Sequence, residues 1–379
     1  MRIAVNTRFL LANKMEGFGW YTYETMQRIA VNHPEHTFIF LFDRPFDKRF
    51  IFSKNVEPVV IGPQARHPFL HLYWFNRSVT AALKKHKADV FVSPDGYLSL
   101  KTRIPQLAVI HDLNFEHFPK FLPFWSRWFY RKYFPKYAKK AKRIVTVSES
   151  SKKDIVKLYG IPPEKIDVSL NGAAEIFTPT DEGNQQKFRQ EYTQGLPFYL
   201  FVGSLHPRKN PVCLFQAYDL FRKQYNQPYR LLVVGEKFYW KSEAETAHTV
   251  MQFRNEVIFT GHMSQQELVR AYGAARALAF PSFFEGFGIP LIESMRCGTP
   301  VLTSNTDALL EVGGDAVAYF NPDKPEQLAA QMKKLAEEEG LRSFMSMRSL
   351  ERASHFSWDK TADALWKSIE KMAYAEGIL

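Results

Sequence analysis

Residues 277–305 read ALAFPSFFEGFGIPLIESMRCGTPVLTSN, and this stretch contains a complete strand–turn–helix–strand unit. The apolar runs ALAFPS (277–282) and PVLTSN (300–305) have the length of buried strands. Between them, Pro290 suits the first turn of a helix, where its missing N–H is not needed, and Gly298 suits the helix end. Two strands joined by a helix in this way are typical of a parallel sheet.

Short apolar runs alternate with longer helical patterns along the rest of the chain. This alternation predicts parallel sheets covered by helices on both faces, so the expected fold class is α/β. Because the runs form two groups separated by a long polar region, we expect two doubly wound Rossmann-like domains. The other predicted strands are RIAVN (2–6), TFIFLFD (37–43), ADVFVSP (88–94), QLAVIHD (106–112), RIVTVSE (143–149), PFYLFVGS (197–204), YRLLVVGE (229–236) and EVIFTGH (256–262).

The domain boundary is predicted within residues 167–186, where the apolar pattern stops and proline, glycine and polar residues follow. We expect a first domain at 1–175 and a second, ligand-binding domain at 176–355. The remaining segment, 356–379, carries one strong amphipathic helix pattern.

Composition narrows the classes of function. The net charge of +11 over 379 residues favours an anionic partner, which could be a nucleic acid, a phosphorylated ligand or an acidic membrane surface. No uncharged apolar run reaches the ~18 residues of a membrane span, and the first residues begin a strand and lack a signal-peptide pattern. Cys213 and Cys297 have no metal-like spacing, so we expect a cytoplasmic protein with both thiols reduced and buried.

Two glutamates flank the glycine-rich turn of the opening stretch. Glu285 precedes the predicted helix, and Glu293 lies about one turn inside it, where a carboxylate can accept two hydrogen bonds from a vicinal diol such as a ribose. The N–H groups of Gly288 and Ile289 at the helix start form a site for anions or sugar hydroxyls. The alternative interpretation is a tight strand-to-helix turn followed by a surface glutamate.

Residues 285–293, EGFGIPLIE, resemble the Glu-x7-Glu signature of the retaining family 4 glycosyltransferases, or group 1 glycosyl transferases, which have the GT-B fold. The flanking ALAFPSFF and CGTPVLTSN also match. The resemblance implies two domains facing a central cleft, with the helix of 356–379 crossing back onto the N-terminal domain. It also implies that Glu285 contacts the transferred sugar and that Glu293 holds the nucleotide ribose. The loop amides that would bind sugar hydroxyls and phosphate belong to Gly286, Phe287, Gly288 and Ile289.

A basic pair follows another predicted strand in FVGSLHPRKNP, residues 201–211. Arg208 is a planar fork and Lys209 a compact charge, and both suit a diphosphate. Two basic residues in a surface loop are the ordinary alternative. The resemblance assigns the donor diphosphate to this pair, although many family members carry an arginine where this chain has Ser204.

Two motifs in the N-terminal half are weaker. Gly17 and Gly19 lie in MEGFGWYTYE between the first strand and its helix, where a close-packed turn is their ordinary explanation. The resemblance implies a loop that faces the donor phosphate and the acceptor. His111 ends a predicted strand, and the resemblance implies that it contacts the transferred sugar. Asp112 is expected to fix the turn, and Ser148 to cap a helix.

Residues 120–143 contain nine Lys or Arg, nine aromatic residues and no acidic residue. Aromatic side chains interspersed with basic ones suit a membrane–water interface, and clusters of basic residues attract anionic lipids. The alternatives are a core helix whose charges are merely solvated, and a nucleic-acid surface. No DNA- or RNA-binding motif accompanies the stretch, so we expect no nucleic-acid partner.

Taken with these features, the resemblance implies a retaining, metal-independent hexosyltransferase of polysaccharide or lipopolysaccharide synthesis, with a lean toward mannose or glucose. Its expected partners are a nucleotide-diphosphate sugar and a glycan or lipid-linked acceptor, with no further cofactor. We expect it in the cytoplasm, at the inner face of the membrane. The alternatives are a GT-B enzyme that does not transfer, such as an epimerase or phosphorylase, and a non-catalytic membrane- or glycan-binding protein.

Overall fold

The computed structural model describes residues 1–12, 15, 17–65, 67–237 and 243–379, with the side chain of Pro68 left out. The described chain forms two compact units, Met1–Asn171 together with Trp358–Leu379, and Gly172–Ser357. The sequence places the boundary a few residues later, at 175/176, and the C-terminal segment belongs to the first unit. Each unit is built on its own sheet.

Both sheets are entirely parallel, which confirms the predicted α/β class. The first has seven strands in the order β3-β2-β1-β4-β5-β6-β7, and the second has six in the order β10-β9-β8-β11-β12-β13. The central strands are buried along nearly their whole length because helices cover both faces. The strands are β1 (Arg2–Asn6), β2 (Thr37–Phe42), β3 (Val56–Val60), β4 (Val90–Ser93), β5 (Gln106–Val109), β6 (Arg143–Thr146), β7 (Ile166–Val168), β8 (Phe198–Val202), β9 (Arg230–Val234), β10 (Val257–Gly261), β11 (Ala277–Phe280), β12 (Val301–Ser304) and β13 (Ala318–Phe320).

The helices connect successive strands and carry the apolar faces that cover the sheets. A π-helical segment, Trp74–Val79, joins the second and third helices. The α-helices are α1 (Gly17–Asn32), α2 (Pro68–Tyr73), α3 (Thr80–Lys85), α4 (Asn114–His117), α5 (Phe124–Lys140), α6 (Glu149–Tyr159), α7 (Glu182–Thr193), α8 (Pro211–Gln224), α9 (Glu243–Thr249), α10 (Gln265–Ala274), α11 (Ile289–Arg296), α12 (Asp307–Gly313), α13 (Pro325–Glu337), α14 (Glu339–Ala353) and α15 (Trp358–Ala375).

Helix α15 is part of the first unit because its apolar side packs on α1. The Trp366 ring stacks on His33 with centroids 3.7 Å apart, and Asp359 accepts a hydrogen bond from Nε of Arg28 at 2.6 Å. Leu365 and Ile369 of α15 are fully buried. None of the described helices has the length and apolar character needed to cross a bilayer.

Candidate active site

The glycine-rich turn predicted to bind a ligand connects β11 to α11 in the second unit. Gly288 is the N-cap of α11 and has a φ of 101°, a left-handed conformation that favours glycine. A Cβ there would also lie 2.7 Å from Cδ2 of Leu309. The first amides of a helix have no partner within the helix, and Pro290 needs none, so the turn directs N–H groups and the positive end of the helix dipole outward.

Glu285 in this turn is held by both predicted cations. Its two carboxylate oxygens lie 2.9 Å from Nη1 of Arg208 and 2.9 Å from Nζ of Lys209. All three side chains are mostly buried, at 19%, 12% and 10% exposure for the arginine, the lysine and the glutamate. Residues distant in sequence therefore form one compact charged cluster.

The cluster is fixed by backbone contacts between two loops. The 3-10 turn Pro207–Lys209 follows β8, and the carbonyl of Arg208 accepts a hydrogen bond from the amide of Phe283 at 2.9 Å. Nη1 of Arg208 also donates to the carbonyl of Phe284 at 2.5 Å. Nζ of Lys209 lies 4.5 Å from the ring centre of Phe280, within the range of a cation–π contact.

Electrostatics keeps Glu285 ionised. Burial alone would raise its pKa, but the charges and hydrogen bonds of Arg208 and Lys209 outweigh burial and lower the pKa to about 2. The same environment affects His206, whose pKa falls to about 4 because of burial and the two nearby cations. The cluster therefore carries a net charge of +1 at neutral pH, from two cations and one carboxylate.

Glu293 lies on α11 and occupies a different environment. Its Oε2 accepts a hydrogen bond from the hydroxyl of Tyr272 on α10 at 2.9 Å. Burial raises the pKa of Glu293 to about 7, although the tyrosine hydrogen bond and the charge of Lys209 oppose the shift. One carboxylate of the motif is thus fully ionised at neutral pH, and the other is half protonated. No sequence pattern pointed to Tyr272.

The remaining predicted donor residues surround this cluster. Ser204 is half-buried directly after Gly203, at the carboxyl end of β8. Gly286 and Phe287 are buried in the turn, and the Phe287 ring packs edge-on against Phe356 at 5.9 Å. Ile289 is the first residue of α11. The strand ends of β8 and β11 therefore bring all the predicted second-domain residues to one edge of the sheet.

The N-terminal glycines differ from expectation. Gly17 and Gly19 lie within α1, which begins at Gly17, and not in the loop before it; Asn13, Lys14 and Glu16 of that loop lie outside the described residues. A Cβ at Gly19 would lie 2.6 Å from the carbonyl oxygen of Phe9, so this glycine permits close packing of α1 against the chain after β1. Gly17 is exposed, and no contact within 4 Å is recorded for a Cβ built on it among the described residues.

His111 lies two residues beyond β5 in the first unit. Its Nε2 donates a hydrogen bond to the carbonyl of Pro94 at 2.8 Å, and its ring contacts the rings of Phe18 and Tyr21 edge-on. Burial lowers the pKa of His111 despite the opposing influence of that hydrogen bond. Asp112 accepts hydrogen bonds from the backbone and side chain of Asn114, so it fixes the turn as expected.

Two other predicted features have a definite place in the first unit. Ser148 is the N-cap of α6, and its hydroxyl accepts a hydrogen bond from the amide of Ser151 at 3.0 Å. The stretch 120–143 contains α5, which buries one side, including Phe129 and Phe134, and exposes the other.

The exposed side of α5 continues onto α2. Phe69 and Tyr73 of α2 and Phe124 and Trp125 of α5 are 54–60% exposed, and the Phe69 and Trp125 rings are 6.3 Å apart. We call these four residues, with the exposed Lys132, Lys136 and Lys139 of α5, the aromatic–basic face.

Metal ligands are not grouped in the described part of the chain. No set of three or more His, Cys, Asp or Glu side chains there is arranged to hold a metal ion.

Comparison with known proteins identifies relatives of both halves. Residues 15–175 match the family model described as Glycosyltransferase Family 4, and residues 184–352 match the model described as Glycosyl transferases group 1. The O-antigen chain mannosyltransferase B of Escherichia coli is 29% identical over 280 residues, which cover 73% of this chain and 73% of that protein. The serotype-specific mannosyltransferase WbdA of Escherichia coli is 28% identical over 59% of this chain, but the match spans only 28% of WbdA.

A solved structure supports the fold. The Anabaena protein Alr3699/HepE, crystallised with UDP and glucose, superposes with a TM-score of 0.75 at 18% identity, covering 97% of this chain and 99% of that one. At this level of identity the likeness concerns the fold alone.

Proposed function

Because the chain belongs to the GT-B glycosyltransferases of family 4 and group 1, we propose that it is a retaining, metal-independent hexosyltransferase of cell-surface polysaccharide synthesis. The donor is a nucleotide-diphosphate sugar, and no further cofactor takes part. The names of the relatives favour a mannosyl donor over a glucosyl one. The acceptor is a glycan or a lipid-linked glycan.

The observation that carries this proposal is the buried cluster of Glu285, Arg208 and Lys209. A diphosphate reaching the two cations replaces water with fixed charges in a mostly buried site, where such interactions are strong. The charge that develops on the leaving diphosphate is stabilised by the same cations and by the amides of residues 286–289. This arrangement supplies, from side chains and helix dipole, what a metal ion would otherwise supply.

Glu285 and Glu293 have separate roles in this scheme. Glu285, ionised beside the diphosphate site, faces the anomeric carbon and stabilises positive charge that develops there. Glu293 accepts hydrogen bonds from the two ribose hydroxyls while Tyr272 holds its Oε2. His111 and the glycines 17 and 19 keep the roles that the family pattern assigns, a contact with the transferred sugar and contacts with acceptor or phosphate.

Retention follows from attack on the face that the leaving group vacates. The bond from the anomeric carbon to the diphosphate oxygen breaks, and the acceptor hydroxyl oxygen bonds to that carbon from the same side. The acceptor proton passes to the departing phosphate oxygen, so atoms and charge balance without a protein base. The cluster at 208, 209 and 285 then binds the nucleoside diphosphate.

Transfer can be tested with a nucleotide-sugar panel that includes GDP-mannose and UDP-glucose, supplied with membrane lipid extract as acceptor. We expect labelled sugar to enter the lipid fraction with one donor, and the Glu285→Ala and Lys209→Ala variants to lose this activity. Product analysis with donor alone separates an epimerase, which needs no acceptor. Transfer by the Glu285→Ala variant at the wild-type rate would overturn the assignment.

For the acceptor side, we propose that the aromatic–basic face binds the anionic surface of the inner leaflet. Its four exposed aromatic rings are side chains that partition favourably into a membrane–water interface, and its three lysines lie on the same side of α5. Residues 120–143 contain no acid that would repel the surface. Docking here would hold the enzyme where a lipid-linked acceptor is anchored.

Flotation with vesicles of phosphatidylglycerol and phosphatidylethanolamine tests this docking. Reversing Lys132, Lys136 and Lys139 to Glu removes about 3 kcal/mol of attraction, so partitioning should fall at least about 100-fold. The matched control reverses three exposed lysines of the second unit and should float like wild type: Lys187, Lys324 and Lys334. Equal flotation of both variants, or flotation with phosphatidylcholine alone, would contradict a specific anionic surface.

A further inference from the structure

A buried ion pair lies at the carboxyl ends of β1 and β4 in the first unit. Nε of Arg8 donates to Oδ2 of Asp95 at 2.7 Å, and the two side chains are only 3% and 2% exposed. The guanidinium lies over the ring of Tyr97 at 4.5 Å and that of Phe9 at 4.7 Å. One of its nitrogens, Nη2, is buried with no hydrogen-bond partner in the described part of the chain.

Such a pair is a poor way to gain stability. Removing two charges from water costs several kcal/mol each, and apolar residues of similar size often serve folding as well or better. A buried guanidinium with an unsatisfied nitrogen adds to that cost.

The pair holds the turn that follows β4. Oδ1 of Asp95 accepts hydrogen bonds from the hydroxyl of Ser93 at 3.0 Å and from the amide of Tyr97 at 3.2 Å, while Oδ2 accepts from Arg8. Gly96, inside the turn, has a φ of 81°. Pro94 lies between the residues that this carboxylate ties down, so the direction of its carbonyl is set by the same contacts.

That carbonyl is the hydrogen-bond partner of His111. A carbonyl oxygen can only accept, so Nε2 of His111 carries the proton in the 2.8 Å contact. In a neutral imidazole the other nitrogen, Nδ1, then carries the lone pair. The ring itself is held at its sides by Phe18 and Tyr21, with centroids 4.9 and 4.7 Å away.

We propose that Arg8 and Asp95 are positioning residues for His111: through the Pro94 carbonyl they hold the imidazole as the neutral Nε2–H tautomer, with Nδ1 as a hydrogen-bond acceptor. The use of that acceptor, for a hydroxyl of the transferred sugar, rests on the proposed function. The tautomer of His111 and its dependence on the Arg8–Asp95 ion pair do not rest on the proposed function. They are properties of the first unit without any ligand.

The charges around His111 predict opposite shifts of its pKa when Arg8 or Asp95 is replaced. Among the described residues, the titratable groups that face the ring are Asp112 beside it in the chain, Asp95 across the turn, and Tyr21 of α1. Asp95 favours the imidazolium, and in wild type Arg8 neutralises part of that effect. Losing Arg8 therefore favours protonation of His111, and losing the Asp95 charge disfavours it. A loss of burial would instead move the pKa toward its ordinary value in both variants.

Ring-nitrogen NMR of the uniformly labelled full chain tests this, with His111→Gln identifying the resonances. We expect wild type to show the Nε2–H tautomer alone and to titrate below the ordinary histidine range. Arg8→Gln should raise the His111 pKa, and Asp95→Asn should lower it. If Arg8→Gln does not fold, Arg8→Lys, which keeps the charge but loses the planar fork, should give a mixture of tautomers with little change in pKa.

Several outcomes would overturn the positioning role. They are an Nδ1–H tautomer in wild type, shifts of the same sign in Arg8→Gln and Asp95→Asn, or no shift in either. Because no donor or acceptor is present, failure of the transfer assay leaves this result standing, and the reverse also holds. If both succeed, Asp95→Asn should lower kcat more than it changes the donor KM, because the side chains proposed to hold the ribose and the diphosphate, Glu293, Arg208 and Lys209, lie in the second unit.

Discussion

Nucleotide binding should depend on pH through Glu293. Burial raises the pKa of this carboxyl to about 7, and only its ionised form acts purely as an acceptor toward Tyr272 and both ribose hydroxyls. At pH 5.5 only about 3% of the protein has the ionised form, so affinity should be about 30-fold lower than at pH 8, a difference of about 2 kcal/mol. Binding at pH 6 should release about one proton per nucleotide.

The assay is titration calorimetry with the nucleoside diphosphate that stabilises the protein most in a thermal screen of UDP, GDP, ADP and dTDP. Repeating each titration in two buffers of different ionisation enthalpy counts the protons released. The diphosphate itself titrates near pH 6, so the Glu293→Gln variant provides the baseline. Its residual pH dependence reports the ligand, and the difference from wild type reports Glu293.

Two further measurements follow from the same group. Tyr272→Phe removes the hydrogen bond that lowers the Glu293 pKa, so its affinity curve should move to higher pH. Burial raises the folded-state pKa of Glu293 from 4.5 to about 7, so this carboxyl lowers the free energy of unfolding progressively as pH rises through those values. Glu293→Gln should therefore be more stable than wild type by about 3 kcal/mol at pH 8 and equally stable at pH 4. Identical affinity–pH curves for wild type and Glu293→Gln would refute the reasoning.

Three other predictions concern the donor loops. Lys209→Ala should weaken nucleoside diphosphate binding at least about 10-fold in calorimetry, whereas Lys223→Ala, which breaks an ion pair elsewhere in the unit, should not. Glu285→Gln removes the carboxylate charge between two mostly buried cations and should lower the free energy of unfolding by about 3 kcal/mol at pH 7; the loss should shrink as pH falls from about 4.5 toward 2, and nucleotide affinity should not fall. An unchanged urea midpoint would count against this charge balance. Gly288→Ala should cost about 1–3 kcal/mol in the same urea assay, because its φ is 101° and Leu309 blocks the new Cβ, while Gly340→Ala in α14 should gain about 0.5–1 kcal/mol. Equal midpoints for the two alanine variants would contradict the strain argument.

Central strands were predictable because they are buried on both faces. Runs such as PFYLFVGS contain the observed strand Phe198–Val202 with small errors at the ends. Three of the four edge strands escaped prediction, namely β3, β7 and β13. In β3, VEPVV, Glu57 and Pro58 are exposed to solvent and interrupt the apolar run that would mark a strand. Strands β7 and β13 have only three residues each.

The grouping of the candidate donor residues was predictable where short motifs mark it, and their role in donor binding stays a prediction. Glu285 and Glu293 are separated by a fixed turn and helix start, and Arg208 and Lys209 follow a recognisable strand end. Contacts between distant residues were not predictable, because no local pattern records them. Tyr272 gave no signal, and Arg8 gave only a weak one, as a cation two residues after a buried strand.

Contacts between distant residues also explain why the structural setting of Gly17 and Gly19 was not predicted. The sequence suggested a binding loop at Gly17 and Gly19, but helical hydrogen bonding extends back to Gly17. A side chain larger than glycine at position 19 would collide with the Phe9 backbone, and this closeness depends on how α1 crosses the chain after β1. Sequence spacing alone could not distinguish such packing from ligand contact.

The return of α15 to the first unit has a consequence for synthesis on the ribosome. The second unit, Gly172–Ser357, is continuous in sequence and can complete its core as soon as it has emerged. The earlier-made strands of the first unit must wait for Trp358–Ala375 to cover α1, a delay of roughly ten seconds or more at usual elongation rates. During that interval the incomplete unit exposes apolar surface, so nascent chains stalled before residue 358 should be the form that chaperones capture.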